Sequence, residues 1–164
     1  MPLTLKGSCR CGAVHFTCDS TTPVPFARCY CSICRKTAGG GGYAINLGAD
    51  AATLRVDDPQ GMIRVFRAEI RQDDGACEIS TAERSFCSGC ATALWLFSPE
   101  WPQLVHPFAS AIDSDLPVAP SSVHLMLRFK PSWVQLDLDE GDQTFDRYPD
   151  QSLEDWHRSR GLLA

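Results

Sequence analysis

The stretch CYCSICRK, residues Cys29–Lys36, places three cysteines within six positions, and it sets the interpretation of the whole chain. CRC precedes it at Cys9–Cys11, and CSGC follows it at Cys87–Cys90. A C-x-x-C turn can bring two sulfurs to one metal ion because the chain folds back over the two intervening residues. Seven cysteines in three groups, two of which contain a C-x-x-C, therefore predict metal binding rather than a set of small buried side chains.

The number of candidate ligands suggests two different kinds of site. A closed structural zinc site uses four thiolate or imidazole ligands, whereas a catalytic zinc keeps three protein ligands and one open position. The contiguous trio suggests a self-sufficient three-ligand set, made of Cys29, Cys31 and Cys34. The other four cysteines of these groups would then form a closed site, made of Cys9, Cys11, Cys87 and Cys90. Spacing alone leaves the pairing of the groups open.

The composition is that of an ordinary globular protein. The chain has 164 residues, of which 44% are hydrophobic and 21% charged, which predicts one folded domain over residues 1–164 and excludes disorder as the main state. The formal charge of −5 argues against a protein that binds nucleic acid through phosphate contacts. Acidic residues concentrate in Asp137–Asp155, which is predicted to be a solvated surface.

Location is predicted from the cysteines and from what the sequence lacks. No apolar run is long enough for a membrane span, and the first residues do not resemble a secretory signal. Nine cysteines cannot all pair with one another, and without export they indicate metal or redox chemistry. We therefore expect a cytoplasmic protein.

Short apolar runs bounded by turn-forming residues predict a mainly β fold with few short helices. Strands are expected in the segments 13–18, 43–47, 53–56, 62–70, 77–81, 93–97, 123–129 and 133–138. A short helical turn is expected after Cys31, and a C-terminal helix over Ser152–Arg160, with Ser152 as N-cap and Gly161 at its end. The segment Ser98–Ser122 contains five prolines and predicts a long loop.

Three motifs in this order resemble the glutathione-dependent formaldehyde-activating enzyme family, which also includes the domain of centromere protein V. They are GSCRCGAV at residues 7–14, CYCSICRK at residues 29–36 with a glycine run after it, and FCSGCAT at residues 86–92. The resemblance implies a mainly β, Mss4-like fold with two zinc ions. It also implies a structural zinc on Cys9, Cys11, Cys87 and Cys90, and a catalytic zinc on Cys29, Cys31 and Cys34.

The resemblance further implies a carbon–sulfur lyase. In such an enzyme a small thiol such as glutathione binds the catalytic zinc as a thiolate and adds to formaldehyde or a related small aldehyde. Glutathione carries two carboxylates, which need cationic partners. Arg35 is the first candidate for this anion contact because it directly follows the trio, and Lys36 and Arg10 are the others.

Two residues depart from the family's common pattern. Tyr30 stands where histidine is common between the first two cysteines of the trio, and Ala91 stands where glycine is common after Cys90. If that glycine needs a positive φ, alanine is strained there. The run Gly39–Gly42 lacks the Lys-Ser/Thr of a phosphate-binding loop and predicts a flexible loop beside the open zinc position.

Two other functions compete with the lyase. In one, both metals are structural and the domain binds a protein partner; in the other, water occupies the open zinc position and a small electrophile is hydrolysed. A fourth protein ligand at the trio, such as Cys77 or a histidine, would close the site and favour the binding module.

Overall fold

The computed structural model describes residues 2–163 and shows a mainly β protein with two short α-helices. The helices are α1 (Ser32–Ala38) and α2 (Leu153–Ser159), and single 3-10 turns lie at Ala51–Thr53, Ala109–Ala111 and Leu127–Phe129. The strands are β1 (Leu3–Ser8), β2 (His15–Ser20), β3 (Phe26–Cys29), β4 (Ala44–Asn46), β5 (Ala49–Asp50), β6 (Arg55–Asp57), β7 (Ile63–Phe66), β8 (Glu69–Arg71), β9 (Cys77–Ile79), β10 (Glu83–Cys87), β11 (Ala93–Phe97), β12 (Leu104–Pro107), β13 (Ser122–Leu125) and β14 (Gln143–Thr144). The predicted mainly β fold with a C-terminal helix is confirmed. Neither helix in residues 2–163 has the length and apolar character needed to cross a membrane.

The strands form three sheets and one separate hairpin. A three-stranded sheet has the order β1-β2-β6, and a five-stranded sheet has the order β5-β12-β11-β10-β7, both antiparallel throughout. A four-stranded sheet has the order β14-β13-β3-β4, in which β13 runs parallel to both β14 and β3. The strands β8 and β9 pair only with each other.

Two apolar clusters hold these sheets together, and each contains part of one cysteine group. The first cluster packs Leu5 and Phe16 against Leu94 and Val105, and it includes the buried Cys9 and Cys87. The second cluster lies around Phe108, Val123 and Trp156, and it includes the buried Cys29 and Cys34. The two groups of cysteines are therefore anchored in separate parts of the core.

Both predicted helices form where the capping residues place them. The side chain of Cys31 accepts a hydrogen bond from the Cys34 backbone amide and so caps α1. The Ser152 hydroxyl caps α2 by accepting from the Asp155 amide, and Gly161 follows the helix with a φ of 63°. These contacts satisfy backbone amides that have no partner within the helix.

Two expectations from the sequence are wrong, and one strand of the sheet has no counterpart among them. The proline-rich segment Ser98–Ser122 contains β12, which is hydrogen-bonded between β5 and β11, because its prolines leave Leu104–His106 free to pair. The segment 133–138 forms no strand; Trp133 and Leu138 are exposed, and only Val134 is buried. The polar strand β10 was not expected, since its sequence ERSFC lacks the apolar alternation that marks a strand.

Candidate metal centre

Four cysteines from two distant parts of the chain converge on one point. The sulfurs of Cys9, Cys11, Cys87 and Cys90 all lie within 4.8 Å of one another. Cys9 Sγ is 3.5 Å from Cys11 Sγ, which is 3.7 Å from Cys87 Sγ. These separations are far longer than a disulfide bond of about 2.05 Å, so the sulfurs meet without being bonded.

Two tight turns deliver these four sulfurs. In the first, the Gly12 amide donates to the carbonyl of Cys9 at 2.9 Å. In the second, the Ala91 amide donates to the carbonyl of Cys87 at 2.7 Å. Ala91 adopts a φ of 60°, so the left-handed conformation expected for the family's glycine at this position is present with an alanine in it.

The other three cysteines form a separate cluster at the junction of β3 and α1. Cys29 is the last residue of β3, Cys31 caps the helix, and Cys34 lies in its first turn. Their sulfurs lie within 4.8 Å of one another, and the Cys29 and Cys31 sulfurs are 3.3 Å apart. Cys29 and Cys34 are buried, whereas Cys31 is partly exposed. The helix cap therefore also fixes the position of one sulfur relative to the next.

No fourth ligand joins this trio among residues 2–163. The group that could hold a metal there contains only three side chains. Cys77, one candidate for closing the site, is exposed on β9. His106, another candidate, has its Nδ1 within 3.1 Å of the Leu47 carbonyl. The trio thus has the three-ligand arrangement of an open site.

Both clusters fit the donor chemistry and spacing of a zinc site. Sulfurs at the corners of a tetrahedron with Zn–S distances of about 2.3 Å are about 3.8 Å apart. The separations of 3.3, 3.5 and 3.7 Å found here lie close to that spacing. All nine cysteines are free, so each sulfur of the two clusters is available as a ligand.

A buried arginine from β10 reaches the three-cysteine cluster. Arg84 is 8% exposed, and its Nη2 donates to Cys34 Sγ at 3.7 Å. Hydrogen bonds from Cys29 and Cys31, together with the charge of Arg84, lower the pKa of Cys34 well below its usual value in spite of burial. The cluster therefore favours a thiolate at Cys34 even before a metal is considered.

A buried polar chain supports the backbone of the trio. Tyr30, which stands between two of its cysteines, hydrogen-bonds through its hydroxyl to His124 Nδ1 at 2.9 Å. His124 Nε2 lies 2.9 Å from Asp142 Oδ2, and the Ser122 amide donates to Asp142 Oδ1 at 2.6 Å. The chain ties the C-x-C turn after β3 to the neighbouring strands β13 and β14. Asp142 corrects the prediction of a solvated acidic segment, since its side chain is only 2% exposed.

The three predicted anion contacts lie in different surroundings. Arg35 follows Cys34 on α1, is partly buried, and has a buried Nε without a hydrogen-bond partner among the described residues. Lys36 is exposed on the same helix. Arg10 is exposed in a turn of the four-cysteine cluster, where its amide donates to Thr92 Oγ1 at 3.0 Å. Of the three, Arg35 and Lys36 lie on the helix that carries the trio.

The glycine run after α1 is not uniformly open. A side chain at Gly40 or Gly41 would meet nothing within 4 Å. Gly42 has a φ of 94°, and a Cβ there would overlap the side chain of Val134. The predicted flexible loop therefore includes at least one glycine that packing and backbone conformation both require.

Comparison with known proteins gives these clusters their context. The family profile described as "Glutathione-dependent formaldehyde-activating enzyme" matches residues 4–127, which include all seven clustered cysteines. This chain belongs to the glutathione-dependent formaldehyde-activating enzyme family. The resemblance identified on the cysteine motifs is thereby confirmed.

Two individual proteins are similar to this family member. A Halomonas elongata protein, provisionally named a glutathione-dependent formaldehyde-activating enzyme, is 58% identical over 160 residues, which are 98% of each chain. A crystal structure of a Rhodobacter sphaeroides protein is 24% identical and covers 68% of this chain and 91% of that one, with a TM-score of 0.46.

Three residues near the three-cysteine cluster of this family member escape prediction from the sequence. Arg84 lies on β10, whose polar sequence ERSFC does not predict a strand. His124 has no sequence feature that separates it from the other histidines among the 4 in the chain. Asp142 was hidden among surface acids. The available signal for Arg84 was a basic residue three positions before a cysteine motif.

Proposed function

We propose that this chain is a zinc-dependent carbon–sulfur lyase that joins a small thiol, such as glutathione, to formaldehyde or a related small aldehyde. In the forward direction the thiol sulfur forms a bond to the aldehyde carbon, and the carbonyl oxygen gains the proton, giving an S-hydroxymethyl thiol. The reverse direction cleaves that carbon–sulfur bond. The observation that carries the proposal is the three-cysteine cluster, which has one protein ligand fewer than its four-cysteine neighbour.

Each cysteine cluster has a distinct role in this proposal. Cys9, Cys11, Cys87 and Cys90 would hold a structural zinc that pins the β1–β2 turn to the β10–β11 turn. Cys29, Cys31 and Cys34 would hold the catalytic zinc. When bound there, zinc supplies the charge that keeps a substrate thiol deprotonated, and therefore nucleophilic, at neutral pH.

The chain's own residues would bind and orient the thiol. Arg35 can hold one glutathione carboxylate in a bidentate manner through its guanidinium group. Lys36 is exposed beside it and would act as a point charge, and Arg10 is a more remote candidate. The chain Tyr30–His124–Asp142 would hold the C-x-C turn rigid while the thiol binds.

We also propose that the protein works in the cytoplasm. All nine cysteines are free, and seven of them stand close to other thiols. An oxidising compartment would convert such neighbouring thiols to disulfides, whereas the cytosol keeps them reduced and available to metal.

The first test combines metal analysis, calorimetry and product detection on the reduced full chain. Wild type should contain two zinc ions per chain, bind glutathione saturably and accelerate exchange between labelled formaldehyde and its glutathione adduct, observed by NMR. The variants Cys31→Ala and Cys34→Ala should each lose one zinc, glutathione binding and exchange together. Cys77→Ser is the matched control because it removes an exposed cysteine outside both clusters.

Two results would contradict the proposal. Two zinc ions without thiol binding would rule out the thiol mechanism and favour a hydrolase or a binding module. Thiol binding that survives loss of the second zinc would place the thiol site elsewhere in the chain.

A further inference from the structure

Arg84 is a buried cation without a carboxylate partner. It lies on β10, next to the edge strand β7 of the five-stranded sheet, and its backbone position pairs with Phe66 of β7 and Leu96 of β11. Its Nε is buried and has no hydrogen-bond partner, and no ion pair within residues 2–163 involves it. A buried guanidinium is costly unless an anion compensates it. Within residues 2–163, its one side-chain hydrogen bond goes to the Cys34 sulfur at 3.7 Å.

A cavity opens beside this arginine. It has a volume of about 310 Å³, and Arg84 is the one charged residue that lines it. Its walls are mostly apolar, with Phe66 from β7 and Phe108 among them. Thr37, one helical turn after Cys34 on α1, also lines it, so α1 and Arg84 connect the cavity to the trio. This size suits a small molecule or one part of a tripeptide.

The charges at the trio explain what such a cation would do. Three thiolates and one zinc ion carry a net charge of about −1, so a fourth ligand that is itself a thiolate meets like charge. A neutral ligand such as imidazole is not repelled by this negative charge. Arg84 supplies one positive charge that compensates an anionic ligand and has no effect on the charge balance of a neutral one.

We propose that Arg84 is a positioning residue that makes the three-cysteine cluster prefer an anionic sulfur ligand, and that the adjoining cavity receives the body of that thiol. This inference rests on the proposed function and adds that the charge of Arg84 selects thiolates over neutral ligands. The thiol binds as thiolate, and its proton passes to solvent. Nη2 of Arg84 stays on Cys34, so the arginine acts on the incoming ligand through its charge and through the Cys34 sulfur.

The test measures ligand preference rather than activity. The full chain is loaded with Co²⁺, and its visible spectrum is followed during titration with glutathione and, separately, with imidazole at constant pH. Removing a unit charge a few ångströms from the ligand should weaken thiolate binding by about 10- to 50-fold in Arg84→Gln. Imidazole binding should stay within about threefold of wild type, which a general loss of structure would not allow.

Three further variants make the result specific. Arg84→Met removes the same charge but keeps the aliphatic length, so it provides the same test if Arg84→Gln folds poorly. Arg84→Lys should recover most of the preference for thiolate because it keeps the charge. Arg64→Gln is the matched control, since Arg64 is an exposed arginine on the neighbouring strand β7.

The cavity is tested separately with Ala93→Leu. Ala93 lines the cavity, so a larger side chain should weaken binding of glutathione but not of a minimal thiol such as methanethiol. Equal effects on both thiols would overturn the assignment of the cavity.

Failure of the inference can be told apart from failure of the proposed function. If wild type binds no thiol at all, the proposed function is wrong. If wild type binds thiolate but Arg84→Gln or Arg84→Met keeps the wild-type ratio of thiolate to imidazole affinity, the role of Arg84 is wrong and the lyase proposal stands.

Discussion

Replacing Ala91 with glycine should stabilise the protein, although it removes a side chain next to a cysteine cluster. Ala91 has a φ of 60°, a conformation that costs an L-residue with a Cβ about 1–2 kcal/mol. Glycine is free of that cost but has about 0.5–1 kcal/mol more conformational entropy to lose on folding. The residue is exposed, so removing its methyl group leaves no enclosed hole. The expected gain is therefore about 0.5–1 kcal/mol.

Urea and thermal unfolding, followed by circular dichroism in reduced, zinc-replete buffer, would measure this gain. For a chain of this size, it corresponds to a rise in Tm of roughly 1–4 °C. Ala52→Gly is the matched control, because Ala52 is exposed in a 3-10 turn and has no positive φ; it should lose about 0.5–1 kcal/mol. If Ala91→Gly is no more stable than wild type, or if both variants lose stability equally, the backbone argument is refuted.

Three other predictions follow from the same structure. Gly42→Ala should destabilise the fold by about 2–4 kcal/mol in urea unfolding, because Gly42 has a positive φ and an added Cβ would overlap Val134. The control Gly40→Ala should change the free energy of unfolding by less than about 0.5 kcal/mol, since a Cβ there meets nothing within 4 Å. Similar losses in both variants would contradict this account of the packing. Burial would raise the pKa of Asp142, but hydrogen bonds from the Ser122 amide and His124 hold it below its usual value. The ionised carboxylate therefore stabilises the folded state at pH values above its unfolded pKa of about 3.9. This stabilisation is lost as the pH falls through the lower pKa of the folded state. Stability measured from neutral pH down to acid should therefore fall more steeply for wild type than for Asp142→Asn, and parallel curves would contradict the assignment. In the metal-free, reduced protein at neutral pH, iodoacetamide should label Cys90 before the more exposed Cys11. Hydrogen bonds from Thr92 lower the pKa of Cys90 to about 6. The Ala13 amide lowers the pKa of Cys11, but hydrogen bonding with Cys9 and Cys90 outweighs it and raises that pKa to about 11. Mass spectrometry of peptides gives the order, Thr92→Val should slow labelling at Cys90, and a rate that follows exposure alone would contradict the prediction.

The parts of the fold that the sequence predicts are those specified by local chemistry. The α2 helix is recognisable because Ser152 caps it and Gly161 follows it, which are interactions within a few residues. The grouping of the cysteines is likewise visible in their spacing. The left-handed conformation at Ala91 follows from a glycine being common at that position, and the structure contains it.

The parts that the sequence does not predict depend on distant partners. The strand β10 carries polar residues such as Arg84 and Ser85, and it forms because β7 and β11 supply hydrogen bonds on both sides. Asp142 looks like any surface acid until β13 brings His124 and Ser122 to it. A buried arginine at Cys34 is likewise a product of pairing between segments 50 residues apart. Such long-range juxtapositions leave no local pattern to recognise.

The two cysteine clusters also differ in how far apart their members lie along the chain, and this gives them different times of assembly. Cys29, Cys31 and Cys34 are complete once a single short stretch has left the ribosome, whereas Cys11 and Cys87 are separated by 76 residues. Closing that long loop is entropically costly and must wait for most of the chain to be synthesised. During translation, the three sulfurs of the local trio are therefore the first that can come together, and the distant pairs of the other cluster can meet only later.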